Sequence, residues 1–193
     1  MESIQRVSDY TEYARRVVTW NERAKGVIDF SNEAITNQWR LVEEELEELF
    51  EAYDLKRENE FYKELADFFV VLSFYDYLTT RKLHPIRTVD STDVEVLLAS
   101  IEDDVADTSY LAMLMNSVKK SPEEYLVPVL DSNDSKFFCI EDADKELALA
   151  TEKYKNRYKG IAVYDIGDGL AVMRDSNNKI MKPSTYKEWN EFI

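Results

Sequence analysis

Between Ile35 and Leu78 the chain carries two apolar patterns of helical period, and an acidic pair is set inside each. In the first, Ile35, Trp39, Val42, Leu46, Leu49 and Tyr53 alternate steps of four and three residues, the seam of a packed helix rather than a strand. In the second, the run from Leu65 to Leu78 is apolar on almost every side, which predicts a helix at the centre of a bundle. The acids are Glu45-x-x-Glu48 and Glu64-x-x-Asp67, with fifteen residues between the pairs. Residues three apart lie on nearly the same helix face, so each pair aims two carboxylates in one direction. Two such helices packed together bring four carboxylates to one place, and a bound multivalent cation is what compensates such a cluster away from bulk water.

A chain of 193 residues, 45% of them hydrophobic, is long enough for one real core and a small appendage. Four glycines and four prolines leave little material for turns, so long helices should dominate. Cys139 is the only cysteine and cannot form an internal bridge. With no basic-then-apolar leader, a cytoplasmic, soluble protein is expected. Ser73 and Asp76 interrupt the apolar run of the third helix, which is too short to span a membrane. The formal charge of −15 argues against direct nucleic-acid or anionic-membrane binding, since phosphate contacts need clustered Lys and Arg.

Along the chain, Ser8 is a cap candidate for a first helix running towards Arg23 and ending near Gly26, and Ser31 precedes the second. The third should span about Glu58 to Arg81, closed by His84-Pro85. A fourth follows Ser91-Thr92-Asp93 and either continues or restarts through Leu111 to Val118; Ser121-Pro122-Glu123-Glu124 resembles a further helix start. Another helix is predicted from Glu141 to Tyr158. Beyond it, Ile161 to Ile166, a Gly167-Asp168-Gly169 turn and Leu170 to Met173 read as a tight β-hairpin, with a third short strand around Lys179 to Met181. The expected organisation is an all-α helical bundle over residues 1–157 and a small β-hairpin tail over 158–193.

For Glu43, Glu47 and Glu51 a solvated face is the better reading. Glu45, by contrast, falls roughly 80° from the centre of the second helix's apolar stripe and borders the core. Glu64 projects between the directions of Val71 and Tyr75, and Asp67 shares its face with Val71, Phe74 and Leu78, so both aim inward. The competing account is ordinary salt bridging to Arg57 or Lys63. Glu44 is placed to reach the site as a supporting group or a base. All-oxygen ligands suit Mg²⁺, with Mn²⁺ as the alternative, whereas zinc or di-iron sites recruit His or Cys. His84 and Cys139 read as surface or packing residues, and no Gly-rich phosphate cradle is present.

At these residues the chain resembles the MazG-type nucleotide pyrophosphohydrolases, an all-α superfamily that includes phosphoribosyl-ATP pyrophosphohydrolase and dimeric dUTPase. Their E-E-x-x-E and E-x-x-D pattern reads here Glu44-Glu45-Leu46-Glu47-Glu48 and Glu64-Leu65-Ala66-Asp67. Ser132-Asn133-Asp134-Ser135-Lys136 is similar to the S-N-M-S-K segment of the phage and bacterial branch, with Asp134 in place of methionine. Tyr158 to Ile161, Val172 to Arg174, and Lys179 to Pro183 with Tyr186 are similar to that branch's C-terminal hairpin. Residues from about 88 to 125 then form an insertion.

The resemblance implies hydrolysis of a nucleoside triphosphate between the α and β phosphates, giving a monophosphate and pyrophosphate. It implies that Glu45, Glu48, Glu64 and Asp67 hold Mg²⁺, that Glu44 orients the attacking water, and that Lys136 and Asn133 contact the triphosphate or sugar. It also implies a homodimer or homotetramer. For the Ser132 to Lys136 stretch the competing reading is a helix cap with a surface lysine. The competing class for the whole chain is a non-enzymatic acidic helical protein, a DNA mimic or adaptor; within the enzymes, a dUTPase or phosphoribosyl-ATP pyrophosphohydrolase shares the same metal chemistry. Trp39, Phe61 and Tyr62 are candidates to stack a base, although each residue type is more often core.

Overall fold

The structure, a computed structural model, describes residues 9–86, 94–103, 105 and 108–192. The chain is mainly helical. Among the described residues the order is α1 (Thr11–Lys25), α2 (Asn32–Asp54), α3 (Glu58–Thr80), α4 (Val94–Asp103), α5 (Thr108–Ser117), α6 (Pro122–Asp134), β1 (Phe138–Cys139), α7 (Ala143–Tyr154), β2 (Ala162–Gly167) and β3 (Leu170–Arg174). No helix among the described residues is long and apolar enough to cross a membrane.

Local chemistry accounts for the helix ends. Ser8 and Ser91-Thr92-Asp93 lie outside the described residues; within them, Asp9 Oδ1 accepts the Thr11 N–H at 2.9 Å at the start of α1. Ser31 Oγ accepts the Ala34 N–H at 3.2 Å and so caps α2. At the end of α3, Arg81 takes the left-handed conformation (φ 57°) and donates its N–H to the Tyr77 carbonyl. His84 beyond it is a surface residue whose Nδ1 lies 3.0 Å from Asp76 Oδ2.

Contacts divide the chain into two compact units, Met1–Thr19 with Asp29–Val127, and Trp20–Ile28 with Pro128–Ile193. The division passes through α6 at Pro128, whose missing N–H removes one bond of that helix's ladder. The expected boundary between residues 157 and 158 falls inside the second unit, because α7 packs with the hairpin.

In the first unit, α2 and α3 form the longest packed pair. The stretch expected to be buried on all sides does bury Leu65, Phe68, Phe69 and Leu72 to 1% exposure or less. The expected insertion is in its described part a contributor to this core, since α4 and α5 bury Leu97, Ile101, Leu111 and Leu114. The fourth helical pattern stops at Asp103 and restarts at Thr108.

In the second unit the hairpin turns through Asp168 and Gly169, both at positive φ (55° and 72°), a conformation whose twist matches that of the flanking strands. Its partner β1 was not anticipated. The sheet order is β1-β3-β2, all antiparallel, with Phe138 opposite Ala171. The third strand expected near Lys179 is a single bridge between Arg174 and Ile180. Phe138, Ala150, Ala171, Met173 and Met181 form the buried cluster that ties α7 to the sheet. Cys139 is exposed on β1 and does not pack as expected.

Glu146 of α7 is fully buried and accepts hydrogen bonds from both the N–H and the hydroxyl of Ser184. Glu146→Ala would leave those donors unpaired in the interior, so chemical denaturation should show a loss of about 2–3 kcal/mol.

Candidate metal centre

Helices α2 and α3 are joined by a tight turn at Leu55–Arg57, in which Lys56 adopts φ 56°. Doubling back this sharply sets the second half of α2 against the first half of α3, which is where the two acidic pairs lie. One carboxylate oxygen from each of Glu45, Glu48 and Glu64 falls within 4.8 Å of the other two. Glu64 is buried, at 8% exposure, Glu45 is half-buried and Glu48 is exposed. The three therefore step from the protein interior to solvent.

Asp67 is not part of this triangle. It pairs with Lys63 one turn back on α3, Nζ to Oδ2 at 2.9 Å, and the same ammonium donates to both oxygens of Glu64 at 2.9 Å. The salt-bridge account of these acids is thus realised for Lys63, while Arg57 pairs instead with Glu60 at 3.0 Å. A lysine four residues before an aspartate was the sequence signal for this contact. One ammonium leaves an excess of negative charge around the cluster.

That excess registers in the protonation of the acids. Burial, then the charges of Asp67 and Glu48, push Glu45 up to about 8, with Lys63 opposing and Glu64 adding to the effect. Glu64 is also raised, chiefly by burial, although its bonds to Lys63 work the other way. Burial acts to lower Lys63, but Asp67 and Glu64 outweigh it and hold the ammonium well above its ordinary range. Near neutral pH the cluster holds a proton where a stronger cation would displace it.

The donor set suits a hard divalent cation. All three groups offer oxygen, and Mg–O bonds of about 2.1 Å place opposite ligands about 4.2 Å apart, so the cluster closes on an ion with small side-chain movements. The half-exposed side would leave room for water or phosphate oxygens. Asp67 joins such a set only after leaving Lys63.

Lys63→Met should destabilise the cation-free protein by about 1–3 kcal/mol, because it strips the partner from buried Glu64 and from Asp67 while the open side still admits water. Millimolar Mg²⁺ or Mn²⁺ should restore more of the lost melting temperature in this variant than in the wild type.

The other predicted residues are placed as follows. Glu44 is exposed beside Glu45. Asn133 and Lys136 are half-buried in the second unit and bind each other, Lys136 Nζ donating to Asn133 Oδ1 at 2.6 Å, with the ammonium 5.4 Å from the centre of the Trp20 ring. The Ser132 to Lys136 segment is also stapled to the C-terminal tail. Ser132 Oγ lies 3.0 Å from the Tyr186 hydroxyl and donates to the Lys187 carbonyl, while the Lys187 N–H donates to Ser135 Oγ. Two stretches separated by about fifty residues thus form one structure, which no local pattern announces.

Among the candidate stacking residues, Phe61 and Tyr62 are buried, and half-buried Trp39 donates its indole N–H to Glu43 at 2.9 Å. No protein-family model, curated protein or solved structure matches the chain.

Proposed function

We propose that the protein is a Mg²⁺-dependent nucleoside triphosphate pyrophosphohydrolase of the all-α type, cleaving a ribo- or deoxyribonucleoside triphosphate to the monophosphate and pyrophosphate. The observation that carries the reading is the convergence of Glu45, Glu48 and Glu64 from two packed helices. The resemblance of the Glu44 to Glu48 and Glu64 to Asp67 motifs supports it independently of the geometry.

In this reading Glu45, Glu48 and Glu64 would hold the cation, and Asp67, paired with Lys63, would join them only on leaving that lysine. A divalent ion held there supplies positive charge to the phosphate oxygens and lowers the pKa of a bound water. Glu44 orients the attacking water and takes its proton as the oxygen bonds to the α phosphorus. The bond between that phosphorus and the bridging oxygen breaks, and pyrophosphate leaves with the electron pair. Lys63, already shared between two carboxylates, holds Glu64 and Asp67 in place before the cation arrives. Lys136 and Asn133 enter as a phosphate-contacting pair on the resemblance of their segment alone. Assembly as a homodimer or homotetramer in the cytoplasm belongs to the same proposal.

A second reading draws on the exposed acids of α2. Glu43, Glu44, Glu47, Glu48 and Glu51 are all exposed, as a nucleic-acid mimic or adaptor requires. Mimicry gives no role to the buried Glu64 or to a Glu45 that holds its proton at neutral pH. Incubating purified protein with a panel of triphosphates and Mg²⁺, and identifying products by chromatography, separates the readings. Monophosphate with equimolar pyrophosphate is the expected result. Intact triphosphate across the panel would refute the enzyme.

A further inference from the structure

One turn beyond the acidic cluster, towards the α2–α3 turn, the first unit contains a cavity of about 490 Å³. Ala52 and Phe61 are among its lining residues. Ala52 follows Glu48 by four residues and Glu45 by seven, and Phe61 precedes Glu64 by three, so these two residues continue the helix faces that carry the acids. The step from Glu48 to Ala52 is about 6 Å along α2.

The cavity wall is aromatic. The Tyr53 and Phe61 rings lie 5.8 Å apart, tilted at 52°, and the Phe61 and Tyr62 rings 5.6 Å apart, edge to face, with Ala52 also lining the cavity. Lys120 anchors Tyr62, with its ammonium 4.6 Å from the ring centre and its backbone N–H donating to the phenol oxygen. At the rim, Lys56, Arg57 and Lys119 stand against Asp54, Glu58 and Glu95. Among the lining residues three cations thus match three anions, in a chain of formal charge −15.

A hollow of this size falls within the range of small-molecule sites, about 300–1,000 Å³. Its aromatic lining suits a planar ring.

We infer that this cavity receives the base and sugar of a nucleotide, placing its phosphates at the Glu45, Glu48 and Glu64 cluster. The inference rests on the proposed hydrolytic reading of that cluster and extends it to the substrate's other end. The base lies against the Tyr53 and Phe61 rings, the sugar passes Ala52, and the exposed Arg57 and Lys119 raise the local potential through which the anionic nucleotide approaches.

The test is photolabelling of the whole chain with azidoadenine and thiouracil nucleoside monophosphates, which require no turnover, followed by peptide mapping. Adducts are expected on Tyr53, Phe61 or Tyr62. Ala52→Leu should lower labelling by about tenfold or more while leaving Mn²⁺ affinity, the separate reporter of the acids, unchanged. Because a larger side chain at a buried site can unfold the protein, the exposed pair Arg57→Glu and Lys119→Glu is tested in parallel, with an expected loss of about fivefold at low salt. Absence of adducts, or adducts confined to other segments, overturns the inference. Labelling of the cavity without any triphosphate hydrolysis would instead sink the hydrolytic reading and leave the nucleotide site standing; hydrolysis with labelling elsewhere would do the reverse.

Discussion

Replacing Glu45 with glutamine should raise the melting temperature of the cation-free protein, and by more at about pH 8 than at about pH 5. In the folded chain Glu45 keeps its proton up to about 8. The unfolded chain releases it near the ordinary carboxylate value of about 4.3. Between those values the native state carries the extra proton, so stability falls as pH rises through the window. Glutamine has no proton to release and keeps a similar shape, so it removes the penalty. Discounted for the solvent on the open side of the cluster, the gain is about 1–2 kcal/mol near the top of the window. For a chain of this size that is about 3–6 °C. An unchanged or lower melting temperature across the window would show that Glu45 is not held in a crowded acidic environment. A side chain that weakens the fold and is retained for its chemistry is the expected signature of a site whose activity needs strain.

The second large effect concerns turnover. On the proposed hydrolytic reading, Glu64→Gln and Glu48→Gln should each lower kcat/KM for a triphosphate substrate by about 10³-fold, about 4 kcal/mol of transition-state stabilisation. Glu48 is exposed, so its loss should leave the melting temperature nearly unchanged. Glu43→Gln, Glu47→Gln and Glu51→Gln, on exposed positions of the same helix, should stay within about twofold of the wild type. Similar losses across all five would point to general surface charge rather than to a built site. Steady-state kinetics with product identification decides between these outcomes.

The helices and the acids were legible because both are local. The four-and-three seam from Ile35 to Tyr53 set the phase of α2, and that phase separated half-buried Glu45 from exposed Glu43, Glu47 and Glu51. The apolar stretch after Leu65 marked the helix that buries most of its circumference, and Ser31 marked where α2 begins.

Features that depend on long-range pairing were not legible. Phe138 and Cys139 make a strand only because β3 lies beside them, and two residues carry no periodicity of their own. Residues of α7 read as part of the helical body, yet Ala150 is buried against the sheet. The bonds joining Ser132 and Ser135 to Tyr186 and Lys187 tie together two segments about fifty residues apart, and no local pattern carries them.

For the site itself, spacing placed the acids on two faces but did not decide Lys63. Its position four residues before Asp67 and next to Glu64 permitted the contact, and its reach across both carboxylates emerges only from the packed geometry. Of the four expected carboxylates, three converge and Asp67 pairs with Lys63 outside the triangle.

The most direct test of the account is calorimetric titration of Mn²⁺ and Mg²⁺ into the nucleotide-free protein, in two buffers of different ionisation heat at about pH 7, with Glu45→Gln and Glu64→Gln alongside. Saturable binding at millimolar or lower concentration is expected, with release of about one proton per ion as the protonated Glu45 ionises and loss of binding in both variants. Binding that is absent from the wild type, or that persists in both variants, would contradict it.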